Sequence, residues 1–365
     1  MTTIMAACGL FGQPDSEPGE ELELLWKYEG LGRGYGGPCI TKAGIFVNAE
    51  EDGNSFTVCL DLGGNLKWSS PNGKEFMGID FSASYPGTRS APTVKGRCVY
   101  AASGMGHLSC FDIRDGTEIW TMDLMHDLNG RLGDFGYSEY PVVDEKKVYC
   151  FPGGREDNLV ALDRRTGDVV WSAPVKNDFF AYDSPIVLKH SGKEVLVVTS
   201  RNYIQVVNSQ DGRLLSSHKY EEVRKGNEHR NPLVHWNGNN NFLGCEGGGP
   251  GAYRFKLSDD GAFLTEVWRN PEILNVFGGF VVIDHVLYTT LETKKLVGLD
   301  TETGKIRHSV RAESGNIIQM DDKLIIYGHN GKLQFFELKN GIPEPISEMR
   351  IRHGSGHHFS FPVIV

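Results

Sequence analysis

Eight residues carry charge, acid–base capacity or an aromatic ring at recurring places in this sequence: Arg89, Glu139, Tyr182, Asp183, His229, Arg230, His357 and His358. Most stand at a corner that opens an apolar stretch, as in Arg89-Ser90-Ala91-Pro92, Ser138-Glu139-Tyr140-Pro141, Tyr182-Asp183-Ser184-Pro185 and His229-Arg230-Asn231-Pro232. Gathered around one axis, they would offer charge-assisted hydrogen bonds to a polar ligand, with Tyr182 and Phe277 as stacking surfaces. A Glu139, Asp183 and His229 set could instead run acid–base chemistry on a sugar. The same residues could equally serve only to join neighbouring units by hydrogen bonds and ion pairs.

Other patterns with chemical promise are weaker. Gly247-Gly248-Gly249-Pro250-Gly251 is not followed by Lys-Ser/Thr, so it reads as a hairpin corner and not a phosphate cradle. His353, His357 and His358 have no neighbouring Cys or acidic ligand, which favours a polar funnel lining over a metal site. The acidic run Asn48 to Asn54 lacks the spacing of a twelve-residue calcium loop. Gly354-Ser355-Gly356 lacks the spacing of a nucleophile elbow.

The elements that must position these corners repeat along the chain. One turn recurs as Leu60-Asp61-Leu62-Gly63-Gly64, Phe111-Asp112-Ile113-Arg114-Asp115-Gly116 and Leu162-Asp163-Arg164-Arg165-Thr166-Gly167. It returns with glycines at 212, 261, 304 and 341, so that successive glycines lie 52, 51, 45, 49, 43 and 37 residues apart. That period suits a four-stranded propeller blade. In each turn an Asp or Asn bonds forward to backbone N–H groups, and the glycine takes the left-handed conformation of a bulged hairpin. Trp68, Trp120, Trp171 and Trp268 follow the turn glycine by a few residues, and Trp26 holds the equivalent place before the first turn. A ring there can wedge between neighbouring blades. Ser216, His308 and Pro345 stand near the slot in three repeats, where weaker contacts are expected. Eight strand openings, several with Pro at the strand start, complete the pattern.

The run Ala161-Leu162-Asp163-Arg164-Arg165-Thr166-Gly167-Asp168-Val169-Val170-Trp171 resembles the tryptophan-docking motif of the pyrroloquinoline-quinone (PQQ) propellers. Similar repeats occur in bacterial PQQ-like repeat proteins and in the lipoprotein of the outer-membrane assembly machinery. The resemblance covers residues 22–365 and implies an all-β, eight-bladed β-propeller. The eighth blade is expected to be split between the Trp26 strand and a Ser360–Val365 strand, with a further hairpin beyond Val365 or, alternatively, a seven-bladed ring. The enzymes of this resemblance are similar in holding the quinone under a disulfide of adjacent cysteines, beside a Glu/Asn/Asp set for calcium. No two of the seven cysteines here are adjacent.

Composition supports this outline. Gly at 45 residues and 10% aromatics suit many strands and tight corners, and a net charge of −10 argues against nucleic acid as a partner. No apolar run approaches the ~20 residues that span a bilayer. The cysteines are scattered in apolar stretches, as small buried hydrophobes would be. Met5-Ala6-Ala7-Cys8 resembles a lipid-modification site, and residues 1–21 read as a flexible tether ahead of a single domain over 22–365. The reading that follows is a non-catalytic scaffold of the periplasm or cell envelope, a lipoprotein anchored at Cys8, taking a protein or carbohydrate partner at the funnel mouth. The alternatives are a quinone-dependent oxidoreductase with PQQ and calcium, or a carbohydrate-active enzyme. With no cofactor expected, equilibrium dialysis in the presence of calcium should show no stoichiometric PQQ binding. Tight one-to-one retention would overturn that expectation.

Overall fold

The computed structural model describes residues 4–8, 23–178, 182–220, 233–236, 241–245, 251–275, 279–353 and 357–364. Among them, seven four-stranded antiparallel sheets follow one another in chain order as the blades of a β-propeller. Blade I holds β3 (Cys39–Thr41), β4 (Gly44–Glu51), β5 (Asn54–Leu60) and β6 (Leu66–Lys74). Blade II holds β7 (Thr93–Lys95), β8 (Cys98–Ala102), β9 (His107–Asp112) and β10 (Glu118–Asp123). Blade III holds β11 (Val142–Val143), β12 (Lys147–Cys150), β13 (Leu159–Asp163) and β14 (Val169–Ala173). Blade IV runs from β15 (Ile186–His190) to β18 (Leu214–Lys219), and blade V from β19 (Leu233–Trp236) to β22 (Leu264–Asn270). Blade VI runs from β23 (Phe280–Ile283) to β26 (Ile306–Arg311), and blade VII from β27 (Gly315–Met320) to β30 (Ile342–Arg350). First strands of successive blades touch, β3 with β7 and β7 with β11, which places them innermost, where the blades converge.

The second and third strands of each blade carry the core. Their residues are buried on both faces, as in Val99 to Ala101 and Leu159 to Leu162, because each sheet is sandwiched between two others. The fourth strand alternates: in β14 Trp171 and Ala173 are buried while Val169, Val170 and Ser172 are exposed. This is the period of a strand with one face packed and one in water.

The tryptophans dock as the repeat implied, and the geometry adds a second reason for the turn glycine. Trp68 Nε1 donates to Ile113 O at 3.2 Å, Trp120 to Arg164 O at 3.1 Å, Trp171 to Ser209 O at 2.9 Å and Trp268 to Thr301 O at 2.9 Å. Each acceptor lies in the turn of the following blade. Gly167 has φ of 78°, and a Cβ on it would stand 2.8 Å from Trp120 Cδ2. Glycine is therefore required both for the turn and for the ring laid against it. Where tryptophan is missing, other groups bridge. His190 Nε2 pairs with Ser258 O at 2.8 Å between blades IV and V, and Tyr288 Oη donates to Gly341 O at 2.7 Å between VI and VII.

The ends depart from expectation. The Trp26 strand, β2 (Glu23–Tyr28), pairs with β1 (Ile4–Cys8) and not with Ser360–Val365. Residues 357–364 form no strand; of the expected flexible tether over 1–21, residues 4–8 are instead a strand held by its ladder to Glu23–Tyr28, and residues 1–3 and 9–21 lie outside the described residues. The terminal segment is held differently: Asn316 Nδ2 donates to the Phe359 and Ser360 carbonyls at 2.9 Å each, and Ser360 Oγ donates to Tyr35 O at 3.0 Å. Side-chain bonds of this kind, together with a proline at 362 that has no N–H to give, take the place of a ladder.

Trp120 and Trp171 are 7% and 8% exposed. Replacing either by Ala should cost about 3–5 kcal/mol through lost burial and an opened interface, read as a fall in thermal and denaturant midpoints. Near-unchanged unfolding would mean that docking does not hold the blades.

Candidate functional site

Connections from the last strand of one blade to the first of the next all lie at one rim. Their lengths are uneven: residues 75–92 and 124–141 run 18 residues each, 174–185 run 12, 220–232 run 13, 271–279 run 9 and 312–314 only 3. The long connections of the first blades build a lip, and four of the eight expected site residues, Arg89, Glu139, Tyr182 and Asp183, stand on it.

Arg89 is at its centre. Its guanidinium lies 5.6 Å from the Tyr35 ring centroid, 5.4 Å from Phe76 and 5.5 Å from Phe135. Nη1 donates to Gly87 O at 2.8 Å and Nη2 to Tyr85 O. Burial lowers its pKa, opposed by the nearby Tyr35, Glu75 and Tyr182. Three rings and two carbonyls replace its water, so Arg89 organises the lip from within.

The rings continue outward. Phe135 meets Phe81 edge-on at 5.5 Å and Tyr182 at 5.9 Å, and Tyr85 stacks on His357 at 5.9 Å. His357 stacks on Phe359 at 5.0 Å, and Phe359 touches Tyr35 at 5.6 Å. Tyr182, at φ 62°, accepts from Phe135 N at 3.3 Å, and burial pushes its hydroxyl up to about 12. Phe81 is 53% exposed on a short 3-10 helix, Asp80–Ser84, beside Ile79 at 57%. The lip therefore shows apolar surface to solvent above an aromatic base.

The carboxylates sit lower. The backbone of Glu139 faces the rim, but its carboxyl is enclosed: Oε2 accepts from Ser138 N at 3.2 Å and Oε1 has no protein partner. A small, mainly apolar cavity lined by Leu124, Tyr137, Cys150 and Phe151 adjoins it. Burial, aided by the charge of Asp183, pushes the Glu139 carboxyl up to about 8. Asp183 accepts from Ser184 N at 2.9 Å and Thr199 Oγ1 at 3.2 Å.

The structure thus joins Arg89, Tyr182 and His357 in one aromatic layer and sets Glu139 and Asp183 beneath it. His358 turns aside, with Nδ1 paired to Tyr327 Oη and N donating to His329 O at 3.2 Å. Burial lowers the pKa of His358 and, with the charge of His357, brings His329 to about 4. His229, Arg230 and Phe277 lie outside the described residues, and with them the Glu139, Asp183 and His229 set. Among the described residues no three His, Cys, Asp or Glu side chains form a metal-binding group. The corner pattern did not single out Tyr35, Phe76, Phe81, Tyr85, Phe135 or Phe359. For Phe76, Phe81, Tyr85 and Phe135 the signal was the length of the 75–92 and 124–141 connections with aromatics inside, since long loops on rigid scaffolds carry function; Tyr35 and Phe359 had no such signal. The corners also bond ring-wise: Ser90 Oγ donates to Glu139 O at 3.0 Å, and Tyr140 N donates to Ser184 Oγ at 2.9 Å. Part of their polarity therefore joins blades.

A family model described as "Outer membrane protein assembly factor BamB" matches residues 54–248. The chain is 30% identical over 128 residues to the BamB of Bordetella pertussis, covering 34% of this chain and 28% of that protein. It is 26% identical over 134 residues to the BamB of Salmonella typhimurium, covering 36% and 29%. The matches therefore span under a third of these relatives' length. Among solved structures, BamB from Moraxella catarrhalis superposes with a TM-score of 0.60 at 12% identity, covering 86% of this chain and 85% of that one. A europium-containing methanol dehydrogenase gives 0.57 at 14%, covering 87% and 77%. The C-terminal WD40 domain of Sif2 gives 0.56 at 9%, covering 88% and 86%. At such identities the likeness is one of fold, and it is shared by an enzyme and by proteins bearing other names.

The buried acid gives a pH dependence with a definite sign. The folded protein keeps the Glu139 proton up to about pH 8, whereas an unfolded chain releases it near 4.5. Between those values the folded state binds more protons, so stability falls as pH rises through the window. Glu139→Gln should remove this fall and stabilise the protein by about 2–4 kcal/mol at alkaline pH, converging with the parent under acid conditions. Melting curves across pH read the difference, and parallel profiles for the two proteins would refute the buried acid.

Proposed function

Because the chain belongs to the family of the outer membrane protein assembly factor BamB, we propose that it is a non-catalytic scaffold of the cell envelope that docks a protein partner on the aromatic lip. The observation that carries this reading is the apolar crest of Ile79 and Phe81, about half exposed and mounted on rings packed around Arg89. Exposed apolar groups on a rigid base meet a partner at small entropic cost. Assembly at the outer membrane, a periplasmic location and a lipid anchor at Cys8 belong to the same proposal.

The oxidoreductase reading is less favoured because adjacent cysteines are absent from the sequence. The acid–base reading is disfavoured because the Glu139 carboxyl is enclosed, with Oε1 shut off from solvent. We also infer an eight-position ring. Trp26 Nε1 donates to Leu62 O at 3.1 Å, docking on blade I as an eighth blade's outer strand would. Ser360, bonded to Tyr35 and Gly36, takes the inner corner of the same position.

The lip and its support make separable predictions. Arg89→Ala should lower stability by about 2–4 kcal/mol through the loss of ring contacts and two carbonyl bonds. A combined Ile79→Ser and Phe81→Ser variant should melt like the parent yet lose binding. A photo-reactive residue at position 81 should cross-link in cells to an outer-membrane assembly protein. Binding retained by the double variant, or adducts arising only from the opposite rim, would reject the lip. Glycan binding in place of protein cross-links would point to a carbohydrate partner.

A further inference from the structure

The interface between blades I and II differs from its neighbour in a way that the scaffold role does not explain. Cross-strand register sorts each interface into layers. In blade I the first layer facing blade II is Phe46, Cys59 and Trp68, and blade II shows blade III the matching Tyr100, Cys110 and Trp120. One step toward the lip, blade II continues with apolar Ala102, Leu108 and Met122, whereas blade I carries Asn48, Thr57 and Ser70. A step further, blade I presents Glu50 opposite Ser55, with Asn72 at the adjoining bulge, and Glu75 follows. Glu50, Ser55, Asn72 and Glu75 are each at most 4% exposed.

The first polar layer is internally satisfied. Asn48 Nδ2 donates to the Ser90 and Ala102 carbonyls, Thr57 Oγ1 donates to Asn48 Oδ1 and Ser70 Oγ donates to Gly116 O. Glu50 is met by Arg33 and by Gly53 N. The remaining groups are less well met: Ser55 Oγ, Asn72 Oδ1, Asn72 Nδ2 and Glu75 Oε2 are buried without a well-formed hydrogen bond, and the Ser55 hydroxyl lies close enough to the Glu75 carboxyl to favour its ionised form. Each such atom costs about 1–3 kcal/mol if left unmet, so four in one layer favour a polar guest.

The charge pattern says what kind of guest. Glu75 Oε1 is saturated by Phe76 N at 2.9 Å and Gly104 N at 2.8 Å, two donors that favour the ionised carboxyl. Arg89, the cation whose field reaches Glu75, donates hydrogen bonds to the Tyr85 and Gly87 carbonyls. A carboxylate oxygen, an amide oxygen and a hydroxyl oxygen are thus left over on neighbouring side chains of one buried layer. Such a hard, all-oxygen set matches an alkaline-earth or alkali cation and is a poor match for a soft metal. We propose that Glu75, Asn72 and Ser55 form a buried calcium-type cation site between blades I and II, with water completing the shell.

A single carboxylate predicts modest affinity, on the order of 10⁻⁴–10⁻³ M for calcium. The test uses the whole chain, stripped of metal and kept in potassium buffer. Addition of about 5 mM calcium should raise the melting midpoint, with magnesium much less effective because it resists dehydration. Glu75→Gln should abolish the rise, and Ser55→Ala should shift the calcium midpoint several-fold. Terbium, read by its aromatic-sensitised emission, should bind the parent one-to-one and be displaced by calcium. Failure of the parent to respond to calcium, sodium or terbium would overturn the site, whether or not the variant folds. An equal calcium response in Glu75→Gln would overturn it too. A sodium response without a calcium response would reject the calcium assignment and leave a monovalent ion on the same oxygens.

Discussion

The contact on which the ring depends is the tryptophan of one blade laid against the turn glycine of the next, with its indole N–H on a turn carbonyl. It combines a large buried ring with a directional bond, so it fixes both the spacing and the rotation of neighbouring sheets. Sheets alone would slide on one another, since apolar faces have little preference for register. The docking bond removes that freedom at Trp26, Trp68, Trp120, Trp171 and Trp268. Blades IV and VI lack the ring and use His190 and Tyr288, so a carbonyl acceptor is kept even where the donor changes.

With rotation fixed, the rim connections are free to differ. They begin next to the docked strands and end at the inner corners, so their anchors are rigid while their lengths vary from 18 residues to 3. This is why an aromatic lip can be built on one side without disturbing the sheets. The polar layers of blade I belong to the same logic. Close to Trp68 the interface is dry and apolar, and toward the lip it turns polar, where connections can donate backbone groups such as Gly104 N.

Much of the fold was legible because its determinants are local. The Asp-to-Gly turns, the tryptophan slot and the openings with proline each lie within a few residues and recur. The ends were less legible. A terminal Ser360-Phe361-Pro362 looks like any other strand opening, but whether a strand follows depends on what lies beside it, which spacing does not encode. The site was half legible. Corner positions of Arg89, Tyr182 and His357 placed them at one rim, yet nothing in a linear pattern told a solvent-facing acid from an enclosed one. Glu139 reads as a ligand-binding group in sequence, and only the packing of Tyr137 and Cys150 around it makes it a buried acid. Asn72 and Glu75 were illegible for the opposite reason, since they look like ordinary polar residues near a turn.

The uneven rim has a geometric outcome. A propeller with equal connections would present the same profile from every side, and a partner centred on its axis would have several equivalent seatings. Here the tall sector spans the first few blades, while the sector near residues 312–314 is almost flush with the sheets. A body resting on the crest must sit off-centre and tilted toward the low side, in a single orientation. On the proposed role, such a disc would be a wedge, setting the angle between whatever holds its flat sector and whatever leans on its crest.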